Sequence, residues 1–359
     1  MPVIFIGLFL LAVLGLQTLA YRRLWDRGLE FKVRFSAKEA YEGDVLYLRQ
    51  EVSNKKYLPM PWVHTHVLLH TALVCLDKEG NMLGQGGKGS ELYSLMAYTA
   101  IRKRQNFRCA KRGVYTISEG RLRASDLLYF QDLQKSVSLK DTLTVFPKTL
   151  ENSLELDLIF KQLDSSIAVQ KITNPDPFEF RGIREYQLTD PLKSINHKAS
   201  AVAQDLMVNI YAPTVSQRIT LVLNLDSPGS WMNHDVYEDA IRLVATIAER
   251  YILQGASCSF VTNGRDCVTG LQLSVYGGTS DGHLYRINET LARVSLSYQV
   301  KPMTELMTEM NDREEVYVFV SPYKGEDFVA ALEEMWERGI ATILARCGSL
   351  PPKKTNQIV

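Results

Sequence analysis

The sequence predicts three parts in order: one apolar helix, an antiparallel β-sandwich-like domain, and an α/β domain whose parallel sheet is covered on both faces. Three observations predict this. Residues 1 to 21 contain no charged side chain. Between 29 and 147, short alternating stretches are separated by Gly, Asn and Pro turn signals. From 218 onward, fully apolar strands alternate with amphipathic helical stretches, the pattern of a sheet buried between two helical layers.

The bulk properties fit that division. A chain of 359 residues suggests about two globular units at roughly 150 residues each. Lys plus Arg number 41 and Asp plus Glu 40, giving a net charge of +1 with 46% hydrophobic residues. That balance argues against intrinsic disorder and against a nucleic-acid coat, which shows as a strong basic excess. Five scattered cysteines, Cys75, Cys109, Cys258, Cys267 and Cys347, form no C-x-x-C pair. Free thiols in a reducing compartment are expected.

The head, MPVIFIGLFLLAVLGLQTLAY, would span about 31 Å as a helix, enough for the roughly 30 Å of a bilayer's hydrocarbon core. We read residues 1–21 as a transmembrane anchor. A secretory signal peptide is the competing reading, with Thr18-Leu19-Ala20 as a cleavage site, but such peptides carry basic residues before the apolar stretch. Here Arg22, Arg23 and Arg27 follow it. The positive-inside rule therefore places the body in the cytoplasm. Tyr21 and Trp25 are expected in the interfacial aromatic belt.

The body divides at its change of rhythm. A β-rich domain is expected over 29–147, with strands at Leu29 to Phe35, Val45 to Val52, Trp62 to Leu76, Arg112 to Ile117 and Leu143 to Phe146. A connecting segment, 148–216, holds a helical stretch at Leu154 to Leu163 and a polar loop around Thr173 to Pro177. The α/β domain, 217–350, is expected to carry strands at Ile219 to Leu225, Cys258 to Val261, Val316 to Val320 and Ile340 to Leu344. Helices are expected at Val236 to Ile252, Gly282 to Val294, Met303 to Met310 and Phe328 to Arg338.

Two segments carry a family likeness. FEFRGIREYQLTDPLKSINHKASAVAQDLMV, residues 178 to 208, and KRGVYTISEGRLRASDLLYF, residues 111 to 130, together resemble the bacterial domain-of-unknown-function family 58. The matching positions are Gly182, Arg184, Tyr186, Asp190, Ile195, Lys198, Ser200 and Ala201. His197 stands where that family commonly has Trp, and Thr189 where it commonly has Gly. The resemblance implies an α/β von Willebrand factor A-like (Rossmann-like) domain behind a β-rich domain and a membrane anchor. It also implies a non-enzymatic adaptor associated with MoxR-type AAA+ ATPases. In the residues themselves, Arg184 and Asp190 lie six apart across a turn, where the guanidinium fork matches a carboxylate. Such a pair suits either a structural network between the domains or a surface that binds a partner or an anion.

Von Willebrand A-like domains often bind Mg²⁺ through a D-x-S-x-S loop after the first strand, because a hard cation takes carboxylate and hydroxyl oxygens. The loop here runs Asn224-Leu225-Asp226-Ser227-Pro228-Gly229-Ser230. Asp226, Ser227 and Ser230 are the candidate ligands, in a degenerate motif, so Mg²⁺ is an optional cofactor. His64, His66 and His70 would share one strand face, but about 13 Å separates His66 from His70 along an extended chain, too far for one ion. The Gly84-to-Ser90 loop lacks the Walker spacing. Arg102, Lys103, Arg104, Arg108, Lys111 and Arg112 place six positive charges in eleven residues, a run that a solvated strand face explains and that anionic lipid or an acidic partner would also meet. No nucleophile elbow, H-E-x-x-H or dinucleotide fingerprint appears, so nothing supports catalysis.

The expectation is a cell-membrane, single-pass adaptor or scaffold with no enzymatic activity and no nucleic-acid partner. It would bind membrane lipid through its helix and protein partners, a MoxR-type AAA+ ATPase among them, through the α/β domain. Two alternatives stand beside it: a membrane-attached hydrolase assembled from residues such as Asp226, His234 and Asp190, and an exported ligand-binding protein of the cell envelope.

Overall fold

The computed structural model describes residues 2–346 apart from 78, 83–87, 174, 189, 214–217, 228–233 and 313–314. It divides into two compact units, Met1–Lys148 and Thr149–Val359, so the boundary falls one residue past the expected one.

The first unit opens with α1, Pro2–Leu24. Among the described residues nine strands follow: β1 Leu29–Phe35, β2 Glu39–Tyr41, β3 Val45–Asn54, β4 Met60–Leu68, β5 Leu73–Cys75, β6 Lys88–Leu95, β7 Ala100–Cys109, β8 Gly113–Ser125 and β9 Asp132–Phe146. They form two sheets, ordered β1-β3-β7-β5 and β2-β9-β8-β4-β6, antiparallel except for the β2–β9 pair. One core lies between them, with Phe31, Leu48 and Phe107 from the first sheet and Val63, Leu122 and Leu143 from the second. Alternation explains the layers. Along β4 from Trp62 onward the odd-numbered Val63, Thr65 and Val67 are buried while Trp62, His64, His66 and Leu68 point outward, as the two-residue period of a strand requires; Met60, buried at the start of the strand, lies before a register shift.

Tyr21 and Trp25 depart from the expectation. Instead of presenting exposed rings, both are buried members of the sandwich core. The Tyr21 hydroxyl donates to the Pro59 carbonyl at 2.6 Å, and the Lys56 ammonium donates to the Trp25 carbonyl. The last turn of α1 is thus built into the β domain, because a buried tyrosine hydroxyl needs a partner and a backbone carbonyl supplies it.

The second unit begins with α2, Leu154–Thr173, then β10, Pro175–Glu185, a 3₁₀ turn at Leu192–Ser194, α3, His197–Ala203, and β11, Met207–Pro213. The polar stretch expected as a loop at 173–177 instead runs into β10, which pairs with β11 as a separate antiparallel ribbon. Next come β12 Arg218–Leu223, α4 His234–Leu253, β13 Ser257–Asp266, β14 Gln272–Gly278, α5 Asp281–Arg293, β15 Val294–Ser295, α6 Met303–Met307, β16 Glu315–Ser321, α7 Glu326–Glu337 and β17 Ala341–Arg346. Their sheet runs β14-β13-β12-β16-β17, with β15 on β13.

The four strands β13-β12-β16-β17 are parallel, as expected, but β14 and β15 join antiparallel to β13. For β14 the short turn after Asp266 is the reason: parallel strands need a long crossover, and only an antiparallel partner can follow so soon. Both faces are covered. Leu221, Leu223, Val318 and Val320 pack against α2, α4 and α5, whereas Val222, Tyr317 and Phe319 pack against α6 and α7.

Candidate functional site

Open parallel sheets place ligands beyond the carboxyl ends of their strands, where the chain order reverses. Here that point lies at β12, flanked by β13 and β16. Three polar residues close these apolar strands: Asn224, Asn263 and Ser321, all buried. Asn224 donates from Nδ2 to Ser321 Oγ at 3.1 Å and accepts the Asp226 amide at 2.9 Å. Asn263 accepts the Leu225 amide at 2.9 Å and donates from Nδ2 to Asp226 Oδ1 at 2.8 Å and to the Lys301 carbonyl at 2.9 Å. The other Asp226 oxygen accepts the Met303 amide at 3.1 Å. Tyr237, on α4, donates to the Asp226 carbonyl at 2.6 Å.

Burial pushes the Asp226 carboxyl above the usual carboxylate range, and the donors from Met303, Asn263 and Asn224 only partly offset this. The arrangement is a hydrogen-bonded node that fixes three strand ends and the start of α6. The described groups do not fit a divalent cation as they stand. Both Asp226 oxygens already carry donors, and the Ser321 hydroxyl is spent between Asn224 and the Tyr323 carbonyl. Ser227 is described and partnered, while Ser230 lies outside the described residues. Among the described residues no group of three His, Cys, Asp or Glu is placed to hold a metal. Asn263 was missed by sequence reasoning, although a Thr-Asn pair straight after an apolar strand was its signal.

The motif residues come together in the β10–β11 ribbon. Arg184 donates from Nη1 and Nη2 to the two Asp190 oxygens, both at 2.6 Å, and the Gln187 amide adds a donor at 2.9 Å. The guanidinium and then the Gln187 amide hold the Asp190 carboxyl below its usual range. The Tyr186 amide donates to the Leu206 carbonyl. Ser200 donates to the Asn196 carbonyl at 2.8 Å and accepts the Met207 amide at 2.8 Å, while Asn196 caps α3 through the Ala199 amide. Gly182 sits in β10 opposite Ile210, and Lys198 is exposed. Around this polar frame the large apolar side chains face outward: Leu188 is 97% exposed, Val202 84%, Leu192 74% and Leu206 54%.

The basic run is dispersed rather than gathered. Arg102, Arg104 and Arg108 point outward from β7. Arg102 pairs with Glu51 at 2.8 Å, and Arg104 lies over the Tyr47 ring. Lys103 turns the other way, to Glu91 at 2.6 Å, Arg112 is buried, and Lys111 is exposed. His64 and His66 share the outer face of β4, while His70 lies past its end against the Tyr115 ring. The Gly84-to-Gly87 stretch lies outside the described residues. Of the residues a hydrolase would need, Asp190 is spent on Arg184 and the Gln187 amide, and His234 is exposed at the start of α4.

No protein-family model matches the chain, and no curated protein matches it. Among solved structures it is similar to the CARDB domain of a Pyrococcus furiosus protein in complex with di-metal ions, at 12% identity and TM-score 0.22, covering 33% of this chain and 93% of that one. A non-cellulosomal cohesin from Archaeoglobus fulgidus matches at 10% and 0.24, covering 32% and 91%. The sporulation control protein Spo0M of Bacillus subtilis matches at 8% and 0.21, covering 45% and 58%. These are partial likenesses at low TM-score, and no functional argument rests on them. The chain is β-rich, with a sandwich-like unit and one N-terminal helix, Ile4–Leu24, long and apolar enough to cross a membrane, a measure that a signal sequence also meets.

Proposed function

We propose that this chain is a single-pass, membrane-anchored adaptor with its body in the cytoplasm, binding protein partners through the β10–β11 ribbon and the α/β unit. The observation that carries the reading is the outward-facing set Leu188, Leu192, Val202 and Leu206. Large apolar side chains held outward on an ordered frame favour an interaction site, since a soluble surface otherwise keeps such exposure small. The frame is ordered by its own polar contacts, from Arg184–Asp190 to Ser200–Met207, so the apolar rim is left free for a partner. The α/β unit, with parallel strands and helices on both faces, supports a von Willebrand A-like assignment. The resemblance of residues 178–208 to domain-of-unknown-function family 58 supports a MoxR-type AAA+ ATPase as the partner. Arg22, Arg23 and Arg27 after the helix support the cytoplasmic side.

The test is affinity capture of the detergent-solubilised full chain with and without Mg²⁺ and ATP. An AAA+ ATPase is expected with the wild type, and its capture is expected to be lost in a Leu192→Ser/Val202→Ser variant. Recovery of no ATPase under either condition overturns the partner assignment. A periplasm-active reporter fused after Val359 is expected to stay silent, and activity would reverse the topology.

A further inference from the structure

The hairpin between β8 and β9 breaks the rule for turns. Its tip is Leu127-Leu128-Tyr129-Phe130, where turns between strands normally carry Gly, Asn, Asp or Pro, and all four side chains are exposed, Phe130 at 69%. The tip is a built structure. Asp126, fully buried, accepts the Phe130 amide at 2.6 Å and the Gln131 amide at 3.2 Å through Oδ1, and Tyr129 takes a left-handed φ of 62°. The ring of Tyr129 meets that of Trp62 edge-on at 6.0 Å.

This tip rests on α1. Gln131 donates from Nε2 to the Thr18 carbonyl at 3.3 Å, and Thr18 lies inside the uncharged stretch, four residues before Arg22. Arg22, the first charge after that stretch, stands only about 6 Å beyond Thr18 at 1.5 Å per residue, and a charged side chain is kept outside the roughly 30 Å hydrocarbon layer. For α1 to cross, the level of Thr18 must itself lie at the hydrocarbon boundary. The side chains next to Gln131 lie at that level too. At the same end of the sandwich, Tyr57 and Tyr98 stack edge-on at 5.0 Å, Tyr57 being 82% exposed and adjacent to Lys56, which donates to the Trp25 carbonyl. Aromatic side chains with polar tips are favoured at this depth.

We propose that Leu127 to Phe130, with the Tyr57–Tyr98 pair beside them, form a second membrane contact: an apolar and aromatic rim that enters the interface of the leaflet from which α1 emerges. This rests on the reading that α1 spans a bilayer. The rim explains why an exposed apolar turn is hydrogen-bonded to the helix, and it fixes the β domain's orientation on the membrane through two points instead of one.

The experiment uses the full chain in phosphatidylcholine nanodiscs doped with a lipid carrying a photoactivatable diazirine in its acyl chain, with adducts mapped by mass spectrometry. Adducts are expected on α1 and on Leu127 to Phe130. None is expected on Tyr41 or Val45, which are exposed at the opposite end of the sandwich. A Leu127→Ser/Leu128→Ser/Phe130→Ser variant is expected to lose the loop adducts and keep those on α1. Adducts on α1 alone in the wild type overturn the rim while leaving the anchor standing. Adducts on neither overturn both.

Discussion

Arg184 and Asp190 face each other through two parallel hydrogen bonds of 2.6 Å, closing a loop whose apex bears the almost fully exposed Leu188. Arginine matters for its shape here, since a lysine ammonium can fill only one of the two positions. Arg184→Lys is expected to raise amide exchange across 186–190 and to leave the α/β core unchanged by the same measurement. Equal protection in the variant would show that the ribbon backbone holds the loop unaided. The pair keeps Asp190 ionised below the usual carboxylate range. Its contribution is therefore present above the unfolded carboxylate pKa and fades as pH falls below it.

At the carboxyl ends of the strands, Asn263 makes three hydrogen bonds from a buried site. Asn263→Ala leaves the buried Leu225 amide without its acceptor and removes a donor from Asp226. The expected loss is about 2 to 4 kcal/mol, since each buried group left unsatisfied costs roughly 1 to 3 kcal/mol. Urea denaturation measures it. Addition of Mg²⁺ is expected to leave the wild-type midpoint in place, because the Asp226 oxygens are already taken; a midpoint that climbs with Mg²⁺ concentration would reveal a cation site there.

Much of the α/β unit could be read from its period. Ile219 to Leu225 and Val316 to Val320 are apolar at every position except Thr220 and Asn224, and they became central strands. Tyr237, Ala240, Ile241 and Val244 recur at three and four, and they became the buried face of α4. The six-residue spacing of Arg184 and Asp190 likewise anticipated their contact. What stayed hidden depends on contacts distant in sequence. Nothing local distinguishes Tyr21 as a core residue from Tyr21 as a belt residue, because Pro59, which accepts its hydroxyl, is 38 positions away. The antiparallel addition of β14 depended on a turn that its weak alternation did not announce. The basic run 102–112 looked like one patch, yet strand alternation sends its members to two faces and acidic neighbours meet some of them.

Asp266 supplies the clearest pH dependence. Burial raises its pKa, but the Arg293 pair at 2.5 Å, the Val268 amide and the Thr269 hydroxyl outweigh that and bring it down to about 2. A depressed acid contributes stability that is complete above its unfolded pKa, about 3.9, and is lost as pH falls toward 2. The contribution is on the order of 2 kcal/mol, since each tenfold change in an acid's dissociation constant is worth about 1.4 kcal/mol. Denaturation midpoints taken from pH 6 down to about 2 should drop more steeply in the wild type than in Arg293→Met. Parallel curves would assign the acid sensitivity elsewhere.

The joint between helix and sandwich gives the last prediction. Tyr21 is 1% exposed and donates to the Pro59 carbonyl, so its ring and its hydroxyl contribute separately. Tyr21→Phe keeps the ring and removes one hydrogen bond, an expected cost of about 1 kcal/mol. Tyr21→Ala also empties the space the ring fills in the sandwich core, and large aromatic truncations of this kind cost about 3 to 5 kcal/mol. Hydrogen exchange of the β3 and β4 amides in the detergent-solubilised full chain reads both changes. A graded loss of protection, small for Phe and large for Ala, is the signature of a helix built into the fold. If Ala at 21 is as well protected as wild type, α1 meets the sandwich only as a flexible tether, and the rigid pairing of Gln131 with Thr18 loses its support.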